Sequence, residues 1–176
     1  MSELKLLEKN IIGSVTSKIF IGYIKDEEEM NQNIIKTIDN EIGDNSYKTN
    51  VKAQMTGWHM HSYSGFDKLC GIIMKTTGVI GSRINDTFLD FKLVNIWGCK
   101  YKSNEETISH DHWPNVWSIA YFLYPPKDCS ELVFTEFDYV IKPEHGMLVI
   151  FPGHYLHQVN KKPFEGYRYV VSANIR

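Results

Sequence analysis

From Phe88 to the C-terminus the chain alternates between short apolar runs and polar turn pieces, and this alternation narrows the possible folds sharply. FLDFKLVNIWGCKY, VWSIAYFLY, ELVFTEF, MLVIF and YRYVVSANI are rich in β-branched and aromatic residues, which suit a pleated, half-buried surface. KSNEE, PPKD, KPEHG, PGH and NKKPFEG separate them, and their Pro, Gly, Asn and Asp are turn formers. Short strands at this spacing predict a sandwich or barrel, including the double-stranded β-helix of cupins.

The first half reads differently. KIFIGYI at 18–24 predicts a strand, and Asp26 with Glu29 three residues on resembles a capping box. Met30, Ile34, Ile35, Ile38 and Ile42 follow at helical spacing, with Gly43 as the expected stop. A second helix is expected from Phe66, with Leu69, Cys70, Ile73 and Met74 on one face, ending at Gly78. The expected fold class is therefore mainly β with N-terminal helices (α+β), in one domain spanning 1–176. Residues 1–87 would supply a strand and a helical support layer, and 88–176 a jelly-roll core.

Composition removes several function classes. At 176 residues, 43% hydrophobic and 23% charged, the chain can bury a sizeable core. Its formal net charge is −2, with no basic run and no acidic tail. That gives no electrostatic footprint for nucleic acid or an anionic membrane surface, and neither is expected as a partner. Cys70, Cys99 and Cys129 are odd in number and lack CxxC spacing, which argues against a disulfide framework or zinc knuckle and for a reducing compartment. MSELKLLEKNIIGS carries no apolar segment of signal-peptide length, and MLVIF is too short to span a bilayer. The expected location is the cytoplasm.

Chemistry concentrates in SHDHWPNVWS, residues 109–118. On a strand, His110 and His112 would share a face and Asp111 would point the other way. Two adjacent imidazoles in an apolar sheet need something to satisfy their nitrogens, and a metal does so directly. Surface or hydrogen-bonded histidines satisfy the same pattern. Downstream, GMLVIFPGHYLHQVN reads as strand, Pro-Gly turn and strand, which lets His157 return beside His110 and leaves His154 at a turn. In GYRYVVSANIR, period two puts Arg168, Val170 and Ser172 on one face. A guanidinium in an apolar strand needs an anion. Arg168 fits a carboxylate held bidentately, with Ser172 adding a hydroxyl; an ion pair with Asp138 or Glu136 would meet the same need.

The segment from His110 to Asn174 resembles the 2-oxoglutarate and Fe(II)-dependent oxygenases, in particular those of bacteria and tailed phages. SHDH, SIAYFL, FPGHYLHQV and RYVVSAN occur in that family's order, with His157 eleven residues before Arg168. The first half of the chain matches only as variable helical support. The resemblance implies iron on one face of the barrel and 2-oxoglutarate as small-molecule cosubstrate, chelating the metal and reaching Arg168 and Ser172 with its far carboxylate. Dioxygen would take the last position, and decarboxylation to succinate would accompany hydroxylation of a substrate C–H bond. It further implies a cytoplasmic enzyme of bacterial or phage type, the phage alternative working in the host cytoplasm.

One position departs from the family, whose common motif is HxD with a distant His. Here His112 occupies the place of the acid. His112 itself as third ligand, Asp111 bent round to the metal, and water or another anion in the gap are the competing readings; side-chain direction favours His112. Tyr121 is a candidate donor to the far carboxylate, as tyrosines in this region are in similar enzymes, with simple packing as the alternative, and Phe122 removes the donor option one position on. Tyr101 is a further candidate for the cosubstrate. Trp113 and Trp117 are candidates for a substrate cleft, and Asn174 matches the family's terminal Asn. His59 and His61 read as surface or as a loop over the cavity mouth, and His145 as solvent-facing.

Two rival functions remain. A cupin-type metal enzyme needing no 2-oxoglutarate is suggested by HxH with Gly146, Pro152 and His157. Val116 and Trp117 stand where a cupin would want a Glu. A non-catalytic jelly-roll binding module is suggested by the missing carboxylate. For substrate, a protein or peptide of the prolyl type is expected by analogy, with a small metabolite as the alternative.

Overall fold

The computed structural model describes residues 7–11, 17–42, 49–85 and 90–176. Among the described residues are two antiparallel sheets and two α-helices. The seven-stranded sheet runs β1 (Leu7–Ile11), β2 (Ser17–Tyr23), β10 (Met147–Pro152), β7 (Trp117–Phe122), β12 (Arg168–Ile175), β5 (Leu93–Tyr101) and β4 (Gln54–Met55) in spatial order. The five-stranded sheet runs β3 (Val51–Lys52), β6 (Glu106–His110), β11 (His157–Val159), β8 (Leu132–Phe134) and β9 (Tyr139–Ile141). The N-terminal half therefore feeds strands into both sheets and is more than a brace.

Three layers follow from which faces are apolar. Every residue of β7 and β10 is buried, because both faces of the large sheet are covered. Trp117, Ile119 and Tyr121 point to the helices, with Leu148, Ile150, Val171 and Ala173 beside them. Ala120 and Phe122 point the other way, toward Leu132, Phe134, Ile141 and Val159 of the smaller sheet. Full burial of each such aliphatic side chain stabilises the fold by roughly 1.5–3 kcal/mol.

Helix α1 (Glu28–Glu41) buries Met30, Asn31, Ile34 and Ile38, and α2 (Asp67–Asn85) buries Leu69, Ile73 and Ile80 against the same face. Two short 3-10 turns, Met60–Ser62 and Ser64–Phe66, lead into α2. Gly98 lets α1 approach β5 closely, since a Cβ there would collide with the Ile38 side chain.

The local signals fared unevenly. Asp26 does not cap α1: it has a positive φ of 53°, and Glu27 takes the N-cap place without a side-chain hydrogen bond. Gly43 lies outside the described residues. Gly78 does not stop α2, which runs on to Asn85; a Cβ at Gly78 would meet nothing within 4 Å, so the glycine is simply solvent-facing. The turn pieces held better, with left-handed residues at Asn104, Asp128, Gly146 and Gly166. The strand Tyr139–Ile141 is short and half-exposed, and its pattern is too brief to read from sequence.

Candidate metal centre

His110, His112 and His157 converge, each offering one ring nitrogen, with those nitrogens within 4.8 Å of one another. His110 ends β6 and His157 begins β11, and the two are direct partners across the strand pair. His112 lies beyond the end of β6, so shared strand alternation is not what aims it. Its place is fixed by its backbone N–H, which donates to the carbonyl of Gly153 at 2.7 Å, and by Gly153 N–H donating to Val116 at 3.0 Å. A Cβ at Gly153 would collide with the Asn115 carbonyl, so the loop carrying His112 needs a glycine there.

The rings are poised as neutral ligands. Nδ1 of His110 faces the Ile108 carbonyl at 2.8 Å, and Nδ1 of His157 faces the Tyr155 carbonyl at 2.9 Å. A carbonyl only accepts, so Nδ1 carries the proton and Nε2 keeps its lone pair. Burial lowers the pKa of His110 below the usual imidazole value. It pushes His112 down to about 3, helped by the charge of His110. His157 is likewise held at about 3, by burial first and then by both other histidines.

Asp111 is not part of this constellation. It is exposed, and its Oδ1 accepts the backbone N–H of Trp113 at 3.1 Å. The alternative in which it bends round to a metal has no support in the geometry; the site is built from three imidazoles.

A cavity between the sheets joins the triad to Arg168, lined also by Trp97, Tyr101, Thr107, Phe122 and Ser172. Arg168 is 1% exposed, and its Nε and Nη1 have no hydrogen-bond partner. Its Cζ lies 4.8 Å from the Tyr101 ring centroid and 5.2 Å from that of Phe122. Among the described residues no carboxylate forms an ion pair with it. The structural ion pair considered above is absent there: Glu136 instead accepts the Leu156 N–H, and Asp138 is exposed in a turn with a φ of 49°. A buried guanidinium with free donors inside a cavity has the chemistry to take an anion.

The remaining candidates divide. Tyr101 is level with Arg168 on the neighbouring strand and shares the cavity, its hydroxyl 2.6 Å from that of Thr107. Ser172 also lines it, but pairs with Trp97 and Ala120. Four residues of strand, roughly 13 Å, separate its Cα from that of Arg168, so its hydroxyl belongs nearer the triad than the anion site. Tyr121 is a correction: it faces α1 and donates to Asn31 Oδ1 at 2.8 Å, because residue 121 alternates away from Ala120 and Phe122. Trp117 is another, packed on the helix side edge-to-face with Phe20 at 5.9 Å.

Trp113 stands 73% exposed and does not line the cavity. Asn174 is buried behind His112, not at a substrate surface. His59 and His61 are exposed, while Trp58 beside them packs on Trp97, which in turn touches His112. His145 is exposed but tethered to the Leu123 carbonyl at 2.6 Å. Trp97, Cys99 and Thr107 were missed; period two from Tyr101 would have found the first two.

Fold and site thus define a two-sheet protein in which a cluster of three imidazoles that could hold a metal ion shares one cavity with a buried cation. No family model matches the chain, and no curated protein matches it by sequence. Solved structures do match. A prolyl-4-hydroxylase of Pseudomonas putida is 15% identical with a TM-score of 0.65, over 84% of this chain and 86% of that one. The viral collagen prolyl hydroxylase of Paramecium Bursaria Chlorella virus-1, in a 2-oxoglutarate complex, is 16% identical with a TM-score of 0.60, over 83% and 90%. A Trichoplax adhaerens prolyl hydroxylase, bound to a peptide fragment of the hypoxia inducible factor oxygen degradation domain, is 15% identical with a TM-score of 0.61, over 89% and 82%. In fold the chain is prolyl-hydroxylase-like, in agreement with the sequence resemblance. No helix among the described residues is long and apolar enough to cross a membrane.

Proposed function

We propose that the chain is a non-haem Fe(II)- and 2-oxoglutarate-dependent dioxygenase that hydroxylates an unactivated C–H bond, on a double-stranded β-helix core. The observation that carries this reading is the buried Arg168, its Nε and Nη1 without a partner, in the same cavity as the triad. A metal site alone suits a cupin-type enzyme equally well. A metal site facing a fixed cation across one cavity suits a small dicarboxylate.

The donor set fits the metal. Three neutral imidazoles leave adjacent positions of an Fe(II) ion open for a chelating cosubstrate and dioxygen. Bound iron would supply activation of dioxygen, coupled to oxidative decarboxylation of 2-oxoglutarate to succinate and carbon dioxide. The protein's own part is positional. Arg168 would hold the far carboxylate through Nε and Nη1, which have no protein partner. The Tyr101 and Phe122 rings lie within cation–π distance of the guanidinium and help hold it in the cavity. Leu132, Val159 and Val170 line the cavity with carbon and keep water from the reacting centre. The carbonyls of Ile108 and Tyr155 hold two imidazoles in the ligating tautomer.

For the acceptor we favour a peptidyl side chain of the prolyl type. The fold neighbours supporting it are prolyl hydroxylases, one of them bound to a peptide. The test is succinate formation from 2-oxoglutarate with Fe(II) and dioxygen, with and without proline-containing peptides. Succinate that is stimulated by a peptide and lost in Arg168→Met supports the proposal. No succinate from iron-loaded protein under any condition contradicts it.

A further inference from the structure

The three imidazoles are anchored in two different ways. His110 and His157 face main-chain carbonyls, which fix their tautomers without choice. Among the described residues no main-chain carbonyl is hydrogen-bonded to the His112 ring. Its Nδ1 lies 3.4 Å from Nδ2 of Asn174, whose Oδ1 accepts the Ser118 hydroxyl at 2.9 Å. Asn174 and Ser118 are cross-strand partners on β12 and β7, 3% and 1% exposed. The pair is buried among Trp117, Ile119, Ala173 and Ile175 of the same two strands.

We propose that Asn174, held by Ser118, is a positioning residue that sets the tautomer of His112 and thereby decides whether the third imidazole can bind metal. The inference rests on the reading of the triad as a metal site.

A carboxamide has a donor end and an acceptor end of nearly the same shape. With the NH2 toward His112, it donates to Nδ1 and the ring proton sits on Nε2. No lone pair then points at the other two imidazoles. Turned by half a revolution, the amide presents oxygen, accepts from Nδ1–H and frees Nε2 for a metal. Ser118 serves both states, donating to the amide oxygen in the first and accepting from the NH2 in the second. The Ser118 hydroxyl keeps an amide partner in both states, so the exchange costs at most about one hydrogen bond, and a metal selects the second. His110 and His157 have no such freedom. The metal-free protein therefore carries two ligands preset and a third that is switched on by binding.

The experiment uses the full chain and Zn(II) as a diamagnetic probe. Long-range proton–nitrogen NMR on nitrogen-labelled histidine reports which ring nitrogen bears the proton, and calorimetry reports zinc affinity. In wild type, His112 is expected to move its proton from Nε2 to Nδ1 on zinc binding, while His110 and His157 keep theirs on Nδ1. Asn174→Asp presents only acceptors, so His112 should hold Nδ1–H even without metal, and zinc affinity should be retained or raised. Asn174→Leu, of similar size, should lose roughly 10- to 100-fold in affinity while melting as a folded protein.

Zinc affinity of Asn174→Leu within twofold of wild type overturns the proposal, and so does a His112 tautomer unchanged by Asn174→Asp. If wild type binds no zinc, or His157→Ala binds it equally well, the metal-site reading itself fails and takes this inference with it.

Discussion

His157 stands directly opposite His110 in the β11–β6 pairing, their ring centroids 4.4 Å apart. Two residues far apart in sequence are thus held in one register by backbone hydrogen bonds, each ring further pinned through its own Nδ1. His157→Ala removes a ligand from a rigid frame. Metal affinity should fall by more than about 100-fold, since a buried ligand has no nearby substitute. Calorimetric titration with Fe(II) under argon measures it.

Arg168 should trade stability against function. A buried guanidinium lacking partners for Nε and Nη1 costs desolvation free energy that no ion pair among the described residues offsets. Arg168→Met keeps the aliphatic volume and removes the charge. The metal-free variant should be more stable than wild type by about 1–3 kcal/mol in urea unfolding, and should lose affinity for 2-oxoglutarate by at least about 100-fold.

Stability should fall as the solution becomes acidic. His112 and His157 are held neutral down to about 3 in the folded chain, whereas in the unfolded chain they titrate near 6.5. Between those values the unfolded state binds more protons, so stability falls with decreasing pH by about 1.4 kcal/mol per pH unit for each such imidazole. His110 adds to this in the same direction. Asp111 opposes it for His110 and His157, as a nearby negative charge. Urea midpoints of metal-free protein from pH 7 to pH 5 should decline steadily; a flat profile would show that the imidazoles are solvated.

Tyr121→Phe separates packing from catalysis. The hydroxyl donates to buried Asn31 at 2.8 Å and faces away from the cavity. Its loss leaves Asn31 Oδ1 unpaired, at about 1–2 kcal/mol of stability. Affinity for 2-oxoglutarate should stay within twofold of wild type, as isothermal titration would report.

Much of the core was legible because strands report themselves through period two. Arg168, Val170 and Ser172 share a face as the alternation required, and the Pro-Gly turn did return His157 beside His110. What failed was what period two cannot carry. Tyr121 was assigned by likeness to other enzymes, although its neighbours Ala120 and Phe122 take the cavity side. His112 reaches the triad from a loop, through a hydrogen bond to Gly153 that no local pattern encodes. Gly78 looked like a helix stop, yet packing of Leu69, Ile73 and Ile80 carries α2 past it. Asn174 could be matched but not interpreted, because its meaning lies in Ser118 and His112, distant in sequence and adjacent only in the fold.

The central claim is that triad and Arg168 form one bipartite site for a metal-chelated dicarboxylate. Its most direct test is anaerobic titration of metal-free protein with Fe(II), followed by 2-oxoglutarate, while recording the visible metal-to-ligand charge-transfer absorption. The band should appear in wild type only after both additions, vanish in His157→Ala and weaken strongly in Arg168→Met. Stoichiometric iron binding with no band on adding 2-oxoglutarate would contradict the account and leave a metal centre of cupin type.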